Sequence, residues 1–476
     1  MNKTDEILKK WLDPVKKDTL PSVYMVGGAV RDYLLGRSAT DIDLICRDAK
    51  ETAALLASGR DAAVVPFEKK SDEPCYRVVD RRDKDNFLDI SPVRGSSVAD
   101  DLAMRDFTVN AMAIRIDCTG KPGAVIDPLN GRVDLEKRLI RLTGAEAVIS
   151  DPLRILRAVR FAAELGFVIE KNTLAAMREN VALLAEVSAE RIMSELFKIF
   201  NTDNSSEFTR LMDSAGILEI IIPEIQPMKG CLQNDYHHLN VWEHSLLVFE
   251  NSEKIIARLK DNFGQATEQV ADNLKKGNRL SVMKMAALLH DIGKPSTRQI
   301  DPDSGKIIFY GHDQAGSEII AEITRRLKMS KQDREYLKTL VGEHMHILSL
   351  SGTDVRSKTR LKWFRKLKDD IIPLLIIEMA DIMSTCGPLS EKSKRDELIQ
   401  WSKKMVCSYY GEIKTIIERK ALISGRDLIA QGMEPGPAMG QVLKQIREAL
   451  DEGLIKNRDE ALVLAKEYGR NIKACQ

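Results

Sequence analysis

The stretch GGAVRDYLLGRSATDIDLI, residues Gly27–Ile45, decides the fold of the first part of this chain. The apolar run SVYMV comes before two glycines, and the helical pattern AVRDYLLG follows them. The run DIDLIC then alternates in the manner of a strand that is half buried. The stretch therefore predicts a strand, a glycine turn, a short helix that ends at Gly36, and a second strand.

The residues of this unit point to phosphate chemistry. Gly27 and Gly28 let backbone N–H groups approach an anion closely, and Arg31, one turn into the helix, adds a guanidinium. Period-two alternation predicts Asp41 and Asp43 on one face of the second strand, where they can share Mg²⁺. Each feature alone is typical of a capped helix or a solvated strand. Their combination at this spacing favours a nucleotide site.

Composition excludes several classes of protein. The chain has 476 residues, 43% of them hydrophobic and 30% charged, with a net charge of +1. The most apolar run, IIPLLIIEMA, is far shorter than the ~20 residues of a membrane span and contains Pro373 and Glu378. The seven cysteines are scattered and predict free thiols in the cytoplasm. We expect no membrane partner, and a nucleic acid would have to be held by local patches.

Patterns along the chain predict four parts. Strand-like runs mix with short helices up to about residue 145, and nearly all later patterns are helical. All seven histidines lie between His237 and His346, which indicates one module with its own chemistry. The predicted parts are an α/β head (1–145), a helical neck (146–228), a histidine module (229–400) and a helical body (401–476).

Five ordered motifs carry a resemblance to a known family. The opening stretch is followed by RDFTVNAMAI, DPLNGRVDL, DPLRILRAVRFAAELGF and SAERIMSELFKIF. Together they resemble class II template-independent nucleotidyltransferases, which include CCA-adding tRNA nucleotidyltransferases and bacterial poly(A) polymerases. The resemblance implies a DNA polymerase beta-like α/β head with a mixed sheet, followed by a long all-α body.

The same resemblance implies a mechanism for the head. Asp41 and Asp43 would hold Mg²⁺ against the triphosphate of CTP or ATP while a tRNA 3′-hydroxyl attacks the α-phosphorus in line. Asp89, in the strand-like run NFLDIS, is the candidate for a third catalytic carboxylate, with a strand-end charge as the alternative. The nucleotide-binding residues implied in the head are Gly27, Gly28, Arg31, Arg105, Asp106 and Asn110. For Asp106 and Asn110 a structural role stays open.

Base selection without a template is assigned to the neck. Asp151 and Arg154 stand three apart in a predicted helix and so share a face. An aspartate accepts and an arginine donates hydrogen bonds, an order that complements the Watson–Crick edges of C and A and opposes U and G. Arg157 and Arg160 extend this face toward the triphosphate, by resemblance. The family motif begins Glu-Asp, and Ser150 replaces the glutamate here.

The histidine module contains, in order, the motifs NVWEHSL, ALLHDIGKP, YGHDQAG, EHMH and MADIMS. This order resembles the HD superfamily of metal-dependent phosphohydrolases. By resemblance, the expected metal ligands are His244, His290, Asp291 and Asp381, with His312 and His344 available for a second metal. Imidazole with carboxylate suits Ni²⁺, Mn²⁺ or Co²⁺ better than Mg²⁺. Related modules resemble 2′,3′-cyclic phosphodiesterases or phosphatases. His237, His238 and His346 are expected to lie outside the site.

The preferred interpretation is that the chain adds C and A to tRNA 3′ ends and carries an attached phosphohydrolase. Addition of only CC or only A is the first alternative, and poly(A) synthesis the second. A hydrolase or RNA-binding protein with an inactive transferase head is the third, and Asp41 with Asp43 argue against it. The basic run RSKTRLKWFRKLK, residues 356–368, is a candidate tRNA contact or a solvated helix face.

Overall fold

The computed structural model describes residues 3–13, 21–39, 41–58, 60–70, 73–117, 119–351, 357–451 and 453–474. The chain forms two compact units, one of residues 1–202 with 210–221 and one of residues 203–209 with 222–476. Among the described residues, every helix is too short or too polar to cross a membrane.

The first unit contains a seven-stranded mixed sheet. Its strands follow the spatial order β3–β4–β5–β2–β1–β6–β7, with β2 and β5 parallel and the other neighbours antiparallel. The strands are β1 Val23–Val26, β2 Ile42–Cys46, β3 Ala62–Lys70, β4 Glu73–Asp80, β5 Phe87–Pro92, β6 Ala113–Ile116 and β7 Pro122–Ile126. The strand-like runs of the sequence predicted β1 to β6 but not β7, and the predicted mixed-sheet head is confirmed.

The register of the sheet aligns two of the predicted carboxylates. Asp43 on β2 pairs with Val26 on β1 and with Asp89 on the parallel strand β5. Ile42 and Leu44, which alternate with Asp43, are buried. Because paired residues of neighbouring strands point to the same face, Asp43 and Asp89 stand side by side on the face opposite these apolar side chains.

The head also contains short helices. They are α1 Lys3–Leu12, α2 Gly28–Leu34, α3 Ala49–Ser58, α4 Val98–Ala103 and α5 Gly131–Glu136. Helix α2 starts directly after Gly27, whose φ of 72° is in the left-handed region that favours glycine. The predicted strand–turn–helix–strand unit is therefore present, with β2 starting one residue after Asp41.

The rest of the first unit is helical apart from one small strand pair. Strands β8 (Leu139–Ile140) and β9 (Val168–Ile169) are parallel. The helices are α6 Glu146–Ser150, α7 Arg154–Leu165, α8 Lys171–Glu179, α9 Ala189–Phe200, α10 Ser205–Ser214 and α11 Ile217–Ile221, of which the first turn of α10 belongs to the second unit. Helix α7 ends at Gly166 in the left-handed conformation, a common helix stop.

The second unit is almost entirely helical, as predicted. Among its described residues, the one strand pair is β10 (Gln299–Ile300) with β11 (Ile307–Ile308). Its helices are α12 Gln226–Lys229, α13 Val241–Ile256, α14 Leu259–Phe263, α15 Thr267–Lys275, α16 Arg279–Leu289, α17 Lys294–Thr297, α18 His312–Arg326, α19 Lys331–Glu343, α20 His346–Leu350, α21 Ser357–Leu367, α22 Ile371–Ser384, α23 Lys392–Ser408, α24 Lys414–Glu418, α25 Gly425–Ala430, α26 Pro437–Asp451 and α27 Arg458–Ala474. The apolar run 371–380 lies in α22 and is buried throughout, which explains its composition.

Candidate functional sites

The glycine turn brings together two charged side chains of the predicted nucleotide site. A Cβ atom at position 27 would lie 3.0 Å from Nη1 of Arg105 and 3.8 Å from Oδ2 of Asp43. Any side chain here would fill the space between the guanidinium and the carboxylate, in a backbone conformation that already disfavours it. Gly27 therefore leaves a small space between the positively charged Arg105 and the negatively charged Asp43, and this space is called the cradle below.

Arg105 is fixed by an aspartate that the sequence analysis did not single out. Asp101 is buried and accepts hydrogen bonds from Nε and Nη2 of Arg105, at 3.0 and 2.9 Å, and from Nε of Arg94 at 3.0 Å. Burial raises the pKa of Asp101, but Arg105 and Arg94 lower it more, so the carboxyl is ionised. A cavity of about 220 Å³ lies here, lined among others by Asp43.

Asp89 stands beside Asp43 but is already paired. Nε and Nη2 of Arg77 donate to its two carboxylate oxygens at 2.8 and 2.9 Å. This hydrogen bond is the main reason why the pKa of Arg77 is raised, and Asp41 is among the other negative charges that raise it. Asp89 thus lies where a third catalytic carboxylate was predicted, with a guanidinium that balances its charge. Asp41 is exposed and precedes the strand.

Asp106 and Asn110 form the centre of a buried hydrogen-bond network. Nη1 of Arg31 donates to Oδ1 of Asn110 at 2.8 Å, and Nδ2 of Asn110 donates to Oδ1 of Asp106 at 3.2 Å. The other oxygen of Asp106 accepts from Arg157. Burial raises the pKa of Asp106, but the charge of Arg157 lowers it below its ordinary value. The network ties α2 to α7 and fixes both arginines.

One phenyl ring packs against three of the predicted nucleotide-binding arginines. The guanidinium carbons of Arg31, Arg157 and Arg160 lie 5.2, 5.4 and 4.0 Å from the ring centre of Phe161. Such cation–π contacts restrain the side chains without neutralising them. Arg160 is in addition paired with Glu195, with Nε 2.6 Å from Oε2. Part of its charge is therefore already balanced.

The structure corrects the predicted placement of Asp151. This residue is not in a helix: α6 ends at Ser150, α7 begins at Arg154, and Asp151 is extended between them. A β-extended conformation and the following proline interrupt the helical pattern at this point. The backbone carbonyl of Asp151 accepts the N–H of Arg154 at 2.9 Å, so the two stay neighbours through a turn. Both are buried, as a selection pair requires.

Each member of the pair is held by a further partner. Nη2 of Arg191, on α9, lies 3.1 Å from both carboxylate oxygens of Asp151. Nη2 of Arg154 donates to the carbonyl of Met104 at 2.8 Å, which leaves most of its N–H groups for other acceptors. Arg191 belongs to the motif SAERIMSELFKIF, but no local pattern in the sequence pairs it with Asp151.

The second unit contains a cluster of buried imidazoles around Asp291. Oδ2 of Asp291 lies 3.1 Å from Nε2 of His290 and 3.8 Å from Nε2 of His244. Oδ1 faces Nε2 of His312 and of His344, at 3.4 and 3.8 Å. Nε2 of His244 is also 2.9 Å from Oδ1 of Asp381. All six predicted ligands are thus brought together, with Asp291 between two groups of imidazoles.

Hydrogen bonds on the outer side of three rings orient the imidazoles of this cluster. Nδ1 of His290, His312 and His344 each face a main-chain carbonyl, that of Ala287, Phe309 and Val341, at 3.0, 2.8 and 2.7 Å. A carbonyl only accepts, so Nδ1 carries a proton, and in the neutral form of each ring Nε2 keeps its lone pair. The two Nε2 atoms of His312 and His344 are 3.3 Å apart and both face a carboxylate oxygen. Three acceptors that converge in this way fit a bound metal.

Although burial lowers the pKa of His290, Asp291 raises it above its ordinary value, so a metal at Nε2 of this ring would displace a proton. Although burial raises the pKa of Asp291, His290 and Lys294 hold it well below its ordinary value, so the carboxylate is charged. Burial and the neighbouring His290 lower the pKa of His344 to about 4, which keeps the ring neutral and able to bind a metal. Lys294 lies 2.7 Å from Oδ2 of Asp291 and adds a cation that the sequence analysis did not include.

The structure differs from the expectation for one histidine. A ring nitrogen of His237 lies within 4.8 Å of ligand atoms of His244 and Asp381, so it belongs to the cluster. His238 and His346 are exposed, as expected for residues outside it. His237 comes before the helix that carries His244, and sequence spacing alone could not show that the loop folds back over the site.

The basic run 356–368 makes largely internal contacts. Trp363 and Phe364 are buried, and Lys366 and Arg365 are paired with Glu343 and Asp451. Arg356 lies outside the described residues. A solvated helix face packed on the helical core therefore explains much of this run.

Family models cover most of the chain. The poly A polymerase head domain matches residues 23–141, and the probable RNA and SrmB-binding site of polymerase A matches residues 166–229. The HD domain matches residues 241–385, and the putative domain 2 of tRNA nucleotidyltransferase matches residues 382–465.

Curated relatives extend over nearly the whole length. An A-adding tRNA nucleotidyltransferase of Deinococcus radiodurans is 30% identical over 94% of this chain and 96% of its own. A CC-adding enzyme of Thermus thermophilus is 31% identical over 94% and 92%. A multifunctional CCA protein of Actinobacillus pleuropneumoniae is 29% identical over 84% and 95%. The chain belongs to the tRNA nucleotidyltransferase family and is a nucleotidyltransferase with an HD domain.

Solved structures show the same fold. The Thermotoga maritima CCA-adding enzyme in complex with tRNA has a TM-score of 0.62 at 22% identity, over 97% of this chain and 94% of that one. A CCA-adding enzyme with ATP has a TM-score of 0.63 at 22% identity, over 96% and 91%. The predicted architecture, an α/β head followed by a helical body with an HD domain, is confirmed.

Proposed function

We propose that this chain adds C and A nucleotides to the 3′ ends of tRNA, from CTP and ATP, by in-line nucleotidyl transfer. The observation that carries this proposal is the cradle at Gly27, with the carboxylate of Asp43 on one side and the guanidinium of Arg105 on the other. Relatives that act on tRNA ends over the same length support the choice of substrate.

The residues of the head have distinct parts in this proposal. Asp41 and Asp43 would hold Mg²⁺, which neutralises charge on the triphosphate and activates the attacking hydroxyl. Gly27 leaves room for phosphate oxygens, and Arg105, fixed by Asp101, donates to them. The network through Asp106 and Asn110 holds Arg31 and Arg157 in place before a nucleotide arrives, so their ordering costs little on binding.

Base choice rests on the pair that follows α6. Asp151 would accept from the amino group of C or A, and Arg154 would donate to the adjacent ring nitrogen. U and G present the reverse order and would leave buried polar groups without partners, at ~1–3 kcal/mol each. Nη2 of Arg191, which lies 3.1 Å from both carboxylate oxygens, orients Asp151 for this role.

A partial activity is the second candidate. The two relatives that extend over 94% of this chain are an A-adding and a CC-adding enzyme, whereas the CCA protein extends over 84%. The pair of Asp151 and Arg154 accepts both C and A, and so supports all three outcomes. Poly(A) synthesis is disfavoured because the full set of HD residues is present, as expected of the CCA branch.

We assign a second activity to the histidine cluster, namely metal-dependent phosphohydrolysis with a 2′,3′-cyclic phosphate as the expected substrate class. Ni²⁺, Mn²⁺ or Co²⁺ is the expected metal because imidazoles dominate the donor set, and the bound metal would act as Lewis acid. The ligands would be His244, His290, Asp291 and Asp381, with His312 and His344 for a second ion. A cytoplasmic location fits the free thiols among the described cysteines.

The family matches support the predicted division of the chain. Their bounds, 23–141, 166–229, 241–385 and 382–465, fall close to the head (1–145), the neck (146–228), the HD domain (229–400) and the body (401–476). We propose that the body contacts tRNA, as its family model is named for the substrate.

One assay separates the candidates. Transcripts of tRNA that end at the discriminator base, at C and at CC are offered each labelled nucleoside triphosphate with Mg²⁺. The proposal predicts CTP use on the first two ends and ATP use on the third, with UTP and GTP poorly used. ATP use on the third end alone would identify an A-adding enzyme, and CTP use alone a CC-adding one. Long A tails, or no addition to any end, would contradict the proposal.

A further inference from the structure

His237 lies at one edge of the imidazole cluster. Its ring centre is 4.8 Å from that of His244, and the two planes are nearly perpendicular. A ring nitrogen of His237 shares a group with ligand atoms of His244 and Asp381, all within 4.8 Å of one another. Two imidazoles and a carboxylate at this spacing are a common donor set for a transition metal.

The ring of His237 is oriented by its own loop. Its Nδ1 lies 3.0 Å from Oδ1 of Asn234, an acceptor, so Nδ1 carries the proton and Nε2 keeps its lone pair. The same arrangement, with an acceptor behind Nδ1, orients His290, His312 and His344. Outer-side hydrogen bonds of this kind fix the tautomer of metal-binding histidines.

A glycine holds the loop against the segment that follows Asp381. The N–H of Gly387 donates to the carbonyl of Tyr236 at 2.7 Å, and Leu389 donates to Asp235 at 3.1 Å. A Cβ at position 387 would lie 2.3 Å from the carbonyl oxygen of Asp235 and 2.6 Å from the nitrogen of His237. Only glycine permits this approach, so the position of His237 is built into the fold.

We propose that His237 is an additional ligand of the metal held by His244 and Asp381. This inference rests on the proposed metal dependence of the HD domain and adds to its ligand set a residue in the loop before α13. A further neutral imidazole makes the donor set softer, which favours Ni²⁺ and Co²⁺ over Mn²⁺ and Mg²⁺.

The loop that carries His237 also supplies a control residue. Neighbouring His238 is exposed and belongs to none of the candidate metal groups. It offers a matched control with the same side chain, one position further along the same loop.

The test uses full-length protein stripped of metal and titrated with Co²⁺. Calorimetry gives affinity and stoichiometry, and visible absorption reports the ligands around Co²⁺. We expect His237→Ala to weaken binding at the His244–Asp381 metal by at least ~10-fold, the lower range of what even outer-shell changes cause, and to change the spectrum. His238→Ala should match the wild type. Asn234→Ala should give a smaller loss because it only frees the ring.

Melting curves without metal show whether each variant is folded. If His237→Ala is not folded, His237→Gln, which keeps a polar side chain, is used in its place. Unchanged affinity and spectrum in the folded variant would overturn the inference and leave the proposed HD function in place. If the wild type binds no Co²⁺, Ni²⁺ or Mn²⁺, both the inference and the proposed HD function are wrong.

Discussion

The two proposed cation sites of this chain differ in how their ligands are arranged. In the head, Asp43 lies on β2 beside the glycine turn, Asp41 directly precedes this strand, and charged pairs fix the surrounding arginines. In the HD domain, donors from several helices converge on buried Asp291, and main-chain carbonyls orient the rings. The oxygen ligands proposed for an ion that arrives with the nucleotide therefore lie at an accessible strand end, whereas the imidazoles proposed for a resident metal lie in a buried helical core.

The largest loss of nucleotide addition is expected from a change at Asp43, the carboxylate beside the glycine turn. Asp43→Asn keeps the shape and removes the charge, and it should lower nucleotide addition at least ~100-fold, since several kcal/mol of charge stabilisation is lost. Labelled CTP or ATP incorporation measures it. Asp61→Asn, at a side chain that is 52% exposed, is the control and should keep full activity. Residual addition above ~1% would argue against direct metal binding by Asp43.

The next effect concerns which base is added rather than how fast. Asp151→Ala should lower the ratio of CTP to UTP use by ~10–100-fold, because one hydrogen-bond pair discriminates by ~1–3 kcal/mol. Arg191→Met should lower this ratio less, since Asp151 remains but loses the guanidinium nitrogen that contacts both of its carboxylate oxygens. Competition between labelled CTP and UTP gives the ratio. A slower enzyme with an unchanged ratio would place Asp151 in the scaffold.

A smaller effect is expected at Asp89. Arg77 already balances this carboxylate, so Asp89→Asn should lower addition less than Asp43→Asn does, by about tenfold or less. The same incorporation assay compares both variants. Arg77→Met, which leaves the carboxylate without its partner, is the informative counterpart. A loss equal to that of Asp43→Asn would make Asp89 a full member of the metal site.

The smallest effect is a difference in acid sensitivity. The pKa of Asp106 is lowered in the fold, since Arg157 outweighs burial, whereas the unfolded value is about 3.9. The ionised carboxylate therefore stabilises the fold above about pH 4, and this contribution is lost as the pH falls through the folded pKa. Urea unfolding at pH 7 and pH 3.5 should show a smaller pH dependence in Asp106→Asn. An equal dependence in both proteins would assign the acid sensitivity to other groups.

The sequence could predict most of the head because its chemistry is local. The glycines, Arg31 and the Asp-x-Asp pattern lie in a single strand–turn–helix–strand unit, and alternation places them. Partners that come from distant segments could not be predicted: Arg77 for Asp89, Asp101 for Arg105 and Arg191 for Asp151. These contacts depend on strand register and helix packing, which one sequence does not encode in any short pattern.

The histidine module shows the same limit of prediction from one sequence. The order of its motifs predicted the six residues that converge, but not the way in which they converge. His237 was missed because only the contact of Gly387 with its loop brings it to the cluster. Asp151 was misplaced because a helical pattern was extended across Pro152, where the backbone is extended.

The central claim is that one chain holds two independent sites, and crossing two variants tests it most directly. Wild type, Asp43→Asn and the double variant His290→Ala/Asp291→Ala are each assayed for nucleotide addition with Mg²⁺ and for Ni²⁺ or Co²⁺ binding, after melting shows that they are folded. We expect Asp43→Asn to lose addition and keep metal binding, and the double variant to lose metal binding and keep addition. A folded double variant without addition, or an Asp43→Asn protein without HD metal binding, would contradict the claim.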